Sequence, residues 1–203
     1  MAQIYSFEGK VPAVHPTAFV HPDAVLIGSV EVGSGCYVGP LASLRGDFGH
    51  IELRAGSNIQ DGCVLHCFPG ADTVVEEDGH VGHGSVLHGC RVGRDSLIGM
   101  RSVLMDGVVV GRQAFVGAAA FVKSGFHVPE RHLVAGTPAK VVRELTAEEI
   151  AWKGNGTRQY QKLAQRCIAG LHPAPAVTER AAPEDTADDA EPEHVTLHAY
   201  RAR

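Results

Sequence analysis

Four of the twelve histidines fall between positions 66 and 88, in the stretches Gln60-Asp61-Gly62-Cys63-Val64-Leu65-His66 and His80-Val81-Gly82-His83-Gly84-Ser85-Val86-Leu87-His88. Neutral imidazole is the commonest protein metal ligand. Three histidines with one open coordination position form a recurring catalytic zinc set. A metal held by neutral ligands keeps its full charge and can lower the pKa of a bound water to about 7. His66, His83 and His88 are the candidate ligands. Gln60 is the candidate amide to orient the bound water. His80 has no partner pattern and reads as an ordinary loop histidine. The ligands also need carboxylate or carbonyl acceptors for their second ring nitrogens, and the sequence does not identify these.

The elements that must position these side chains show themselves as a period of six. Aliphatic residues recur at Val14, Val20, Leu26, Val32, Val38 and Leu44. They resume at Leu53, Ile59 and Leu65, and again at Val86, Val92, Ile98, Leu104, Val110, Val116 and Val122. Small or aliphatic residues stand two positions earlier, among them Cys36, Ala42, Ser57, Cys63, Gly84, Cys90, Ser96, Ser102, Ala114 and Ala120. Six matches neither the helical period of 3.6 nor the strand period of 2. It marks a hexapeptide β-helix, whose short strands stack coil upon coil. Three hexapeptides would close a triangular coil of 18 residues. The phase breaks twice, around Arg45-Gly46-Asp47-Phe48-Gly49-His50 and around Phe68-Pro69-Gly70-Ala71-Asp72. Each break predicts a loop pushed outward from a rigid scaffold, where function commonly resides.

This register places the histidines. His66 follows Leu65, and His88 follows Val86 by two, so the two can share an edge on adjacent coils. His83 precedes His88 by five residues, roughly 16 Å of extended chain. It therefore falls short of the ion bound by His66 and His88 of its own chain, unless the chain bends sharply near Gly84. A neighbour related by a three-fold axis could supply it. The expectation is a trimer with three metal sites, each shared between two chains.

The rest of the chain bounds the reading. Its 203 residues are 44% hydrophobic and only 6% aromatic, with 24 glycines, and the net charge is −5. That balance argues against a general nucleic-acid binder. No apolar run is long enough to span a membrane, no signal peptide is visible, and five cysteines without a CxxC pair suggest reduced thiols. A cytoplasmic location with no membrane partner is expected. Residues 1–13 form a lead-in and 14–143 the β-helix. Thr146-Ala147-Glu148-Glu149 reads as a capping box opening a helix within 144–172, which Gly154-Asn155-Gly156 is expected to split. Residues 173–203 carry seven acids against three arginines, and read as a mobile acidic tail.

Arg45-Gly46-Asp47, Asn58-Ile59-Gln60-Asp61, His66, His83 and His88 on a hexapeptide solenoid resemble the γ-class carbonic anhydrases. Ser43-Leu44-Arg45-Gly46-Asp47, Ile98-Gly99-Met100, Phe121-Val122-Lys123 and Gly136-Thr137-Pro138-Ala139-Lys140 are similar to the PaaY and CaiE branches, linked to phenylacetic acid degradation and to carnitine operons. The resemblance implies a homotrimer of left-handed parallel β-helices. It implies metal ligation by His66 and His88 from one chain and His83 from the next, with Zn2+ as the ion and Fe2+ or Co2+ as alternatives. It casts Gln60 as the contact to metal-bound solvent, supported by Asn58, and puts Tyr160 near the metal. Arg45, Asp47 and Asp61 become subunit-interface ion pairs. Phe48 stands where the prototype enzyme has a proton-transfer glutamate, and the loop after His66 lacks the second one.

The implied activity is metal-dependent hydrolysis of a coenzyme A thioester, a PaaY-type thioesterase, with carbonic anhydrase activity (CO2 hydration) beside it. The small-molecule partner would be an acyl-CoA or CO2/bicarbonate. Two alternatives stand against it: a hexapeptide-repeat acyltransferase, and a non-catalytic trimer stapled by a structural metal.

Overall fold

The computed structural model describes residues 2–179 and Tyr200. The acidic tail expected over 173–203 therefore lies almost wholly outside the described residues. The chain folds as a parallel β-helix of about 7 turns with a C-terminal helix. Short strands repeat on three flat faces. On one face Leu26, Leu44, Leu65, Leu87, Leu104 and Val122 stack in register. On the second the ladder is Val32, Leu53, Val75, Val92, Val110 and Val128. On the third it is Val20, Val38, Ile59, Val81, Ile98, Val116 and Val134.

Most of these side chains are fully buried and form one continuous apolar core. A single small or branched aliphatic residue per face fills the narrow interior, which explains the low aromatic content. The small partners two positions earlier sit inside the corners. There the buried hydroxyls of Ser85, Ser96 and Ser102 donate to backbone carbonyls of Gly99, Gly111 and Gly117 on the next coil, so no corner polar group is stranded.

The structure corrects the register at three points. The inward residue of the last phase is Leu87, fully buried, and Val86 is only partly so. Its small partner is accordingly Ser85, not Gly84. After the insertion at 67–72 the phase resumes earlier than expected, at Val75 and Val81, both fully buried and six residues apart, with Leu87 six further on. The expected loop at 45–50 is instead part of one long strand, Ser43–Leu53, paired with Val25–Val32 across a register shift. The extra residues bulge within the ladder because backbone pairing continues on both sides of them. The insertion at 67–72 does leave the coil, with Phe68 exposed. Within and just after the lead-in, Gln3–Tyr5 and Ala13–Val14 both pair with Val25–Val32.

After the last coil an antiparallel hairpin, His132–Gly136 with Ala139–Glu144, closes the third face. The helix Ala147–Gly170 follows, capped by Thr146 and Glu149 in a reciprocal capping box. Glu149 also takes a two-pronged hydrogen bond from Arg143, at 2.8 Å to each oxygen. The helix is continuous through Gly154-Asn155-Gly156 and not split. Its docked face explains why: Gly156 is buried between Lys153 and Thr157, where tertiary packing outweighs the weak helix propensity of glycine. A 24-residue helix is about 36 Å long, close to the roughly 34 Å height of seven coils. Ile150 packs near Phe115 at one end and Ala164 near Phe19 and Tyr37 at the other. The helix therefore runs along the stack and covers the third face.

Candidate functional site

Because Leu65 and Leu87 pair, His66 and His88 are themselves in register, one residue beyond each. Period-2 alternation makes both point out of the core at the same edge. Their rings meet edge to face at 5.1 Å between centroids, with His66 Nδ1 3.1 Å from His88 Nε2. The outer nitrogens both face carboxylates. His66 Nε2 lies 3.0 Å from Asp47 Oδ1, and His88 Nδ1 lies 2.6 Å from Asp106 Oδ1. An ionised carboxylate only accepts, so each outer nitrogen carries the ring proton. The two inner nitrogens then present lone pairs to each other.

Two lone pairs 3.1 Å apart repel unless a cation or a proton lies between them. Zinc–imidazole bonds of about 2.0–2.1 Å can bridge such a span. Carboxylates behind ligating histidines are the usual outer shell that fixes tautomer and raises basicity. The residues present therefore fit a divalent metal. Among the described residues, however, no three His, Cys, Asp or Glu side chains come together within one chain to hold an ion.

Asp47 does double duty. Its other oxygen is 2.6 Å from Arg45 Nη1. Burial pushes the Asp47 carboxyl up, but hydrogen bonds from Arg45 and His66 and the Arg45 charge outweigh it and leave the group below its ordinary value. Phe48 and Phe68 stand at the ends of the pair, 5.5 Å from the His66 ring and 4.8 Å from the His88 ring. Both are more than half exposed. No carboxylate replaces Phe48 at its position. Cys67 turns into the interior, fully buried, where burial raises its thiol pKa. All five cysteines are free.

The other candidates lie around a corner. Gly84 takes φ +69°, so the chain does bend after His83, yet His83 does not join His66 and His88 in one metal-binding group. His83 Nδ1 pairs with Asp61 Oδ2 at 2.6 Å. Gln60, His80, His83 and Tyr160 line one cleft between the helix and the third face. Gln60 and Asn58 are buried there, and Gln60 Nε2 donates to Asn58 Oδ1 at 3.1 Å.

His80 is no loop residue. It sits in the strand His80–Val81, with Nε2 2.8 Å from Gln60 Nε2 and Nδ1 3.3 Å from Thr157 Oγ1. Tyr160 packs edge-on against both His80 and Tyr37, and burial pushes its hydroxyl up to about 12. The structure thus separates the sequence candidates into two groups: His66 and His88 with Asp47 and Arg45, and His83 with Gln60, Asn58, Asp61 and Tyr160. Asp106 is not among the residues the sequence singles out, and His80 is read there as a loop histidine. Asp106 was legible as the residue 18 positions after His88, one coil on. His80 was legible as one position before the inward Val81, had that phase been followed.

No family model matches the chain. The carnitine operon protein CaiE of Escherichia coli strain K12 is 56% identical over 168 residues, covering 83% of this chain and 86% of that protein. CaiE of Proteus sp. strain LE138 is 54% identical over 168 residues, covering 83% and 85%. Among solved structures, a putative acetyltransferase from Bacillus cereus matches with a TM-score of 0.82 at 36% identity, covering 83% of this chain and 98% of that one. A hexapeptide transferase family protein from Anaplasma phagocytophilum matches at 0.78 and 34%, covering 80% and 96%.

Proposed function

Since the chain belongs to the CaiE family of hexapeptide-repeat proteins with left-handed β-helices, we propose that it is an enzyme of acyl-thioester chemistry that works at a metal site shared between subunits. In this reading His66 and His88 hold one side of a divalent ion, zinc first, and His83 of a neighbouring copy in a homotrimer completes the set. The observation that carries it is the pair of facing ring nitrogens, each backed by a carboxylate through the opposite nitrogen. Bound there, a divalent metal would supply Lewis-acid polarisation and water activation at neutral pH.

The chain's own residues do the rest. Asp47 and Asp106 keep both rings in the tautomer that leaves the inner nitrogens unprotonated. Phe48 and Phe68 wall the pair and limit water access. Gln60 has both amide hydrogens engaged, one toward Asn58 and one toward His80, so its carbonyl oxygen remains to accept from a reacting water. Because Gln60 and His83 share a cleft, one subunit contributes both to the site whose other half is His66 and His88 of the next. Thioester hydrolysis is the favoured reaction. CO2 hydration draws less support, since Phe48 provides no proton-transfer group beside His66.

A second reading, an acyltransferase, is favoured by the likeness to the putative acetyltransferase from Bacillus cereus and the hexapeptide transferase family protein from Anaplasma phagocytophilum. In it the His88–Asp106 pair, at 2.6 Å, is a general base and its orienting carboxylate, and acyl transfer to an acceptor replaces hydrolysis.

Metal content per chain, measured with phenylacetyl-CoA hydrolysis before and after chelation and in His83→Ala, separates the two. About one ion per chain, with ion and hydrolysis both lost in the variant, supports the shared site. An active, metal-free protein that needs an acyl acceptor supports the transferase. Metal kept without any activity points to a structural staple.

A further inference from the structure

Between the C-terminal helix and the third face lies a cleft of about 450 Å³, within the usual range for small-molecule pockets. Its walls change character along the stack. At the lower coils stand Gln60, His80 and His83, with Tyr160 of the helix above them. At the next three coils the wall is Leu97 and Met100, then Phe115 and Ala118, then Leu133. Trp152 and Gly156 of the helix close that end from above. Coils repeat at about 4.8 Å, so the step from the His83 coil to the Phe115 coil is roughly 10 Å. A polar mouth and an apolar trough of that length suit a molecule with one reactive polar end and one apolar chain.

We propose that this cleft is a binding slot for the acyl group of the substrate, with the thioester carbonyl at the Gln60–His83 mouth and an apolar chain of about six carbons lying along Leu97, Met100 and Phe115 beneath Trp152. The assignment rests on the acyl-thioester reading above and adds the substrate class: medium-length or aromatic acyl groups, not acetyl. Gly156 is what keeps the slot open on the helix side, since it is buried yet presents no side chain. Ala118 is exposed in the single chain and lies on the slot wall, so a larger side chain there fills the slot without entering the β-helix core.

Trp152 is the one tryptophan in the sequence, which makes its fluorescence a reporter of this cleft. The test titrates the full-length protein with S-hexyl-coenzyme A, S-methyl-coenzyme A and coenzyme A, thioethers and thiol that cannot be hydrolysed. The expected result is a blue shift of Trp152 emission with S-hexyl-coenzyme A, and binding at least about tenfold tighter than S-methyl-coenzyme A, because four or more methylenes leave water. Ala118→Phe, with an unchanged thermal unfolding midpoint, removes that preference, and Met100→Ala shifts it toward longer chains. Equal affinity for all three compounds, a silent Trp152, or a preference untouched by both substitutions overturns the slot. The outcomes are independent of the metal: hexyl-selective binding with chelator-insensitive turnover sinks the metal reading alone, and chelator-sensitive hydrolysis without hexyl selectivity sinks the slot alone.

Discussion

Asp106 illustrates how much a single side chain decides at this site. It stands at a corner, and its carboxylate determines which nitrogen of His88 carries the proton. Asp106→Asn keeps the shape and removes the charge. The expected outcome is a 10- to 100-fold loss of metal affinity, read by competition with a chromophoric chelator, with little change in thermal midpoint. Asp47 makes a pH-dependent contribution whose sign follows from its lowered pKa. A carboxyl held below its unfolded value stabilises the folded state above that unfolded value, near 3.8. The contribution is lost as pH falls through the lowered folded value. Urea unfolding of the wild type against Asp47→Asn checks this. The gap between them should be open at pH 7 and shrink below pH 4; a gap that widens on acidification contradicts it.

The helix is the element that converts a plain solenoid into one with a cleft. Its strongest tie is Lys153, 2% exposed, whose ammonium donates to the Asp78 carbonyl at 2.6 Å and to Asp95 at 2.8 Å. Gln161 adds bonds to Gly56 and Asp78. These partners are successive corners of one edge, Gly56, Asp78 and Asp95, all at positive φ, so the helix reads the coil repeat directly. Burial holds the Lys153 pKa down, against the pull of Asp95. A lysine with a lowered folded pKa makes stability rise with pH through the interval below 10.5. Lys153→Met should flatten that rise. Lys153→Ala should cost about 2 kcal/mol, the range for a charged hydrogen bond, seen as helix loss by circular dichroism before the β-helix unfolds. If helix and solenoid melt together in that variant, the helix is not a separable unit.

For the whole molecule, the core is one column of stacked aliphatic residues, and each layer contacts chiefly the layers above and below. Leu87→Ala removes a fully buried side chain directly beneath the His66–His88 pair. The expected cost is about 2–5 kcal/mol, with a looser pair and weaker metal retention as the functional signature. The two groups of candidates on one chain, His66 with His88 and His83 with Gln60, make a shared site the economical arrangement. The corresponding prediction is a trimer mass by light scattering at neutral pH and one metal per chain. A stable monomer with full metal content removes the shared-site proposal. Among the described residues no helix is long and apolar enough to cross a membrane.

The period of six was enough to assign the parallel β-helix, because one inward aliphatic residue per face is a steric requirement that sequence records position by position. The capping box at Thr146–Glu149 was legible for a similar reason, being a local pairing of adjacent residues. The nearness of His66 to His88 also followed from spacing, although the register used for it was one residue off. What spacing could not supply was the consequence of irregular coils. Only backbone pairing shows that Leu87 faces inward, that Ser43–Leu53 absorbs its extra residues as a bulge, and that the phase resumes at Val75 and Val81. The coil spacing marks positions such as Asp106 and His80 as neighbours of a coil, but it does not say which polar side chains meet. Asp106, His80 and Lys153 find their contacts 18 to 77 residues away in sequence, and which side chains meet at that distance depends on corner geometry and helix docking, which exist only once the coils have stacked.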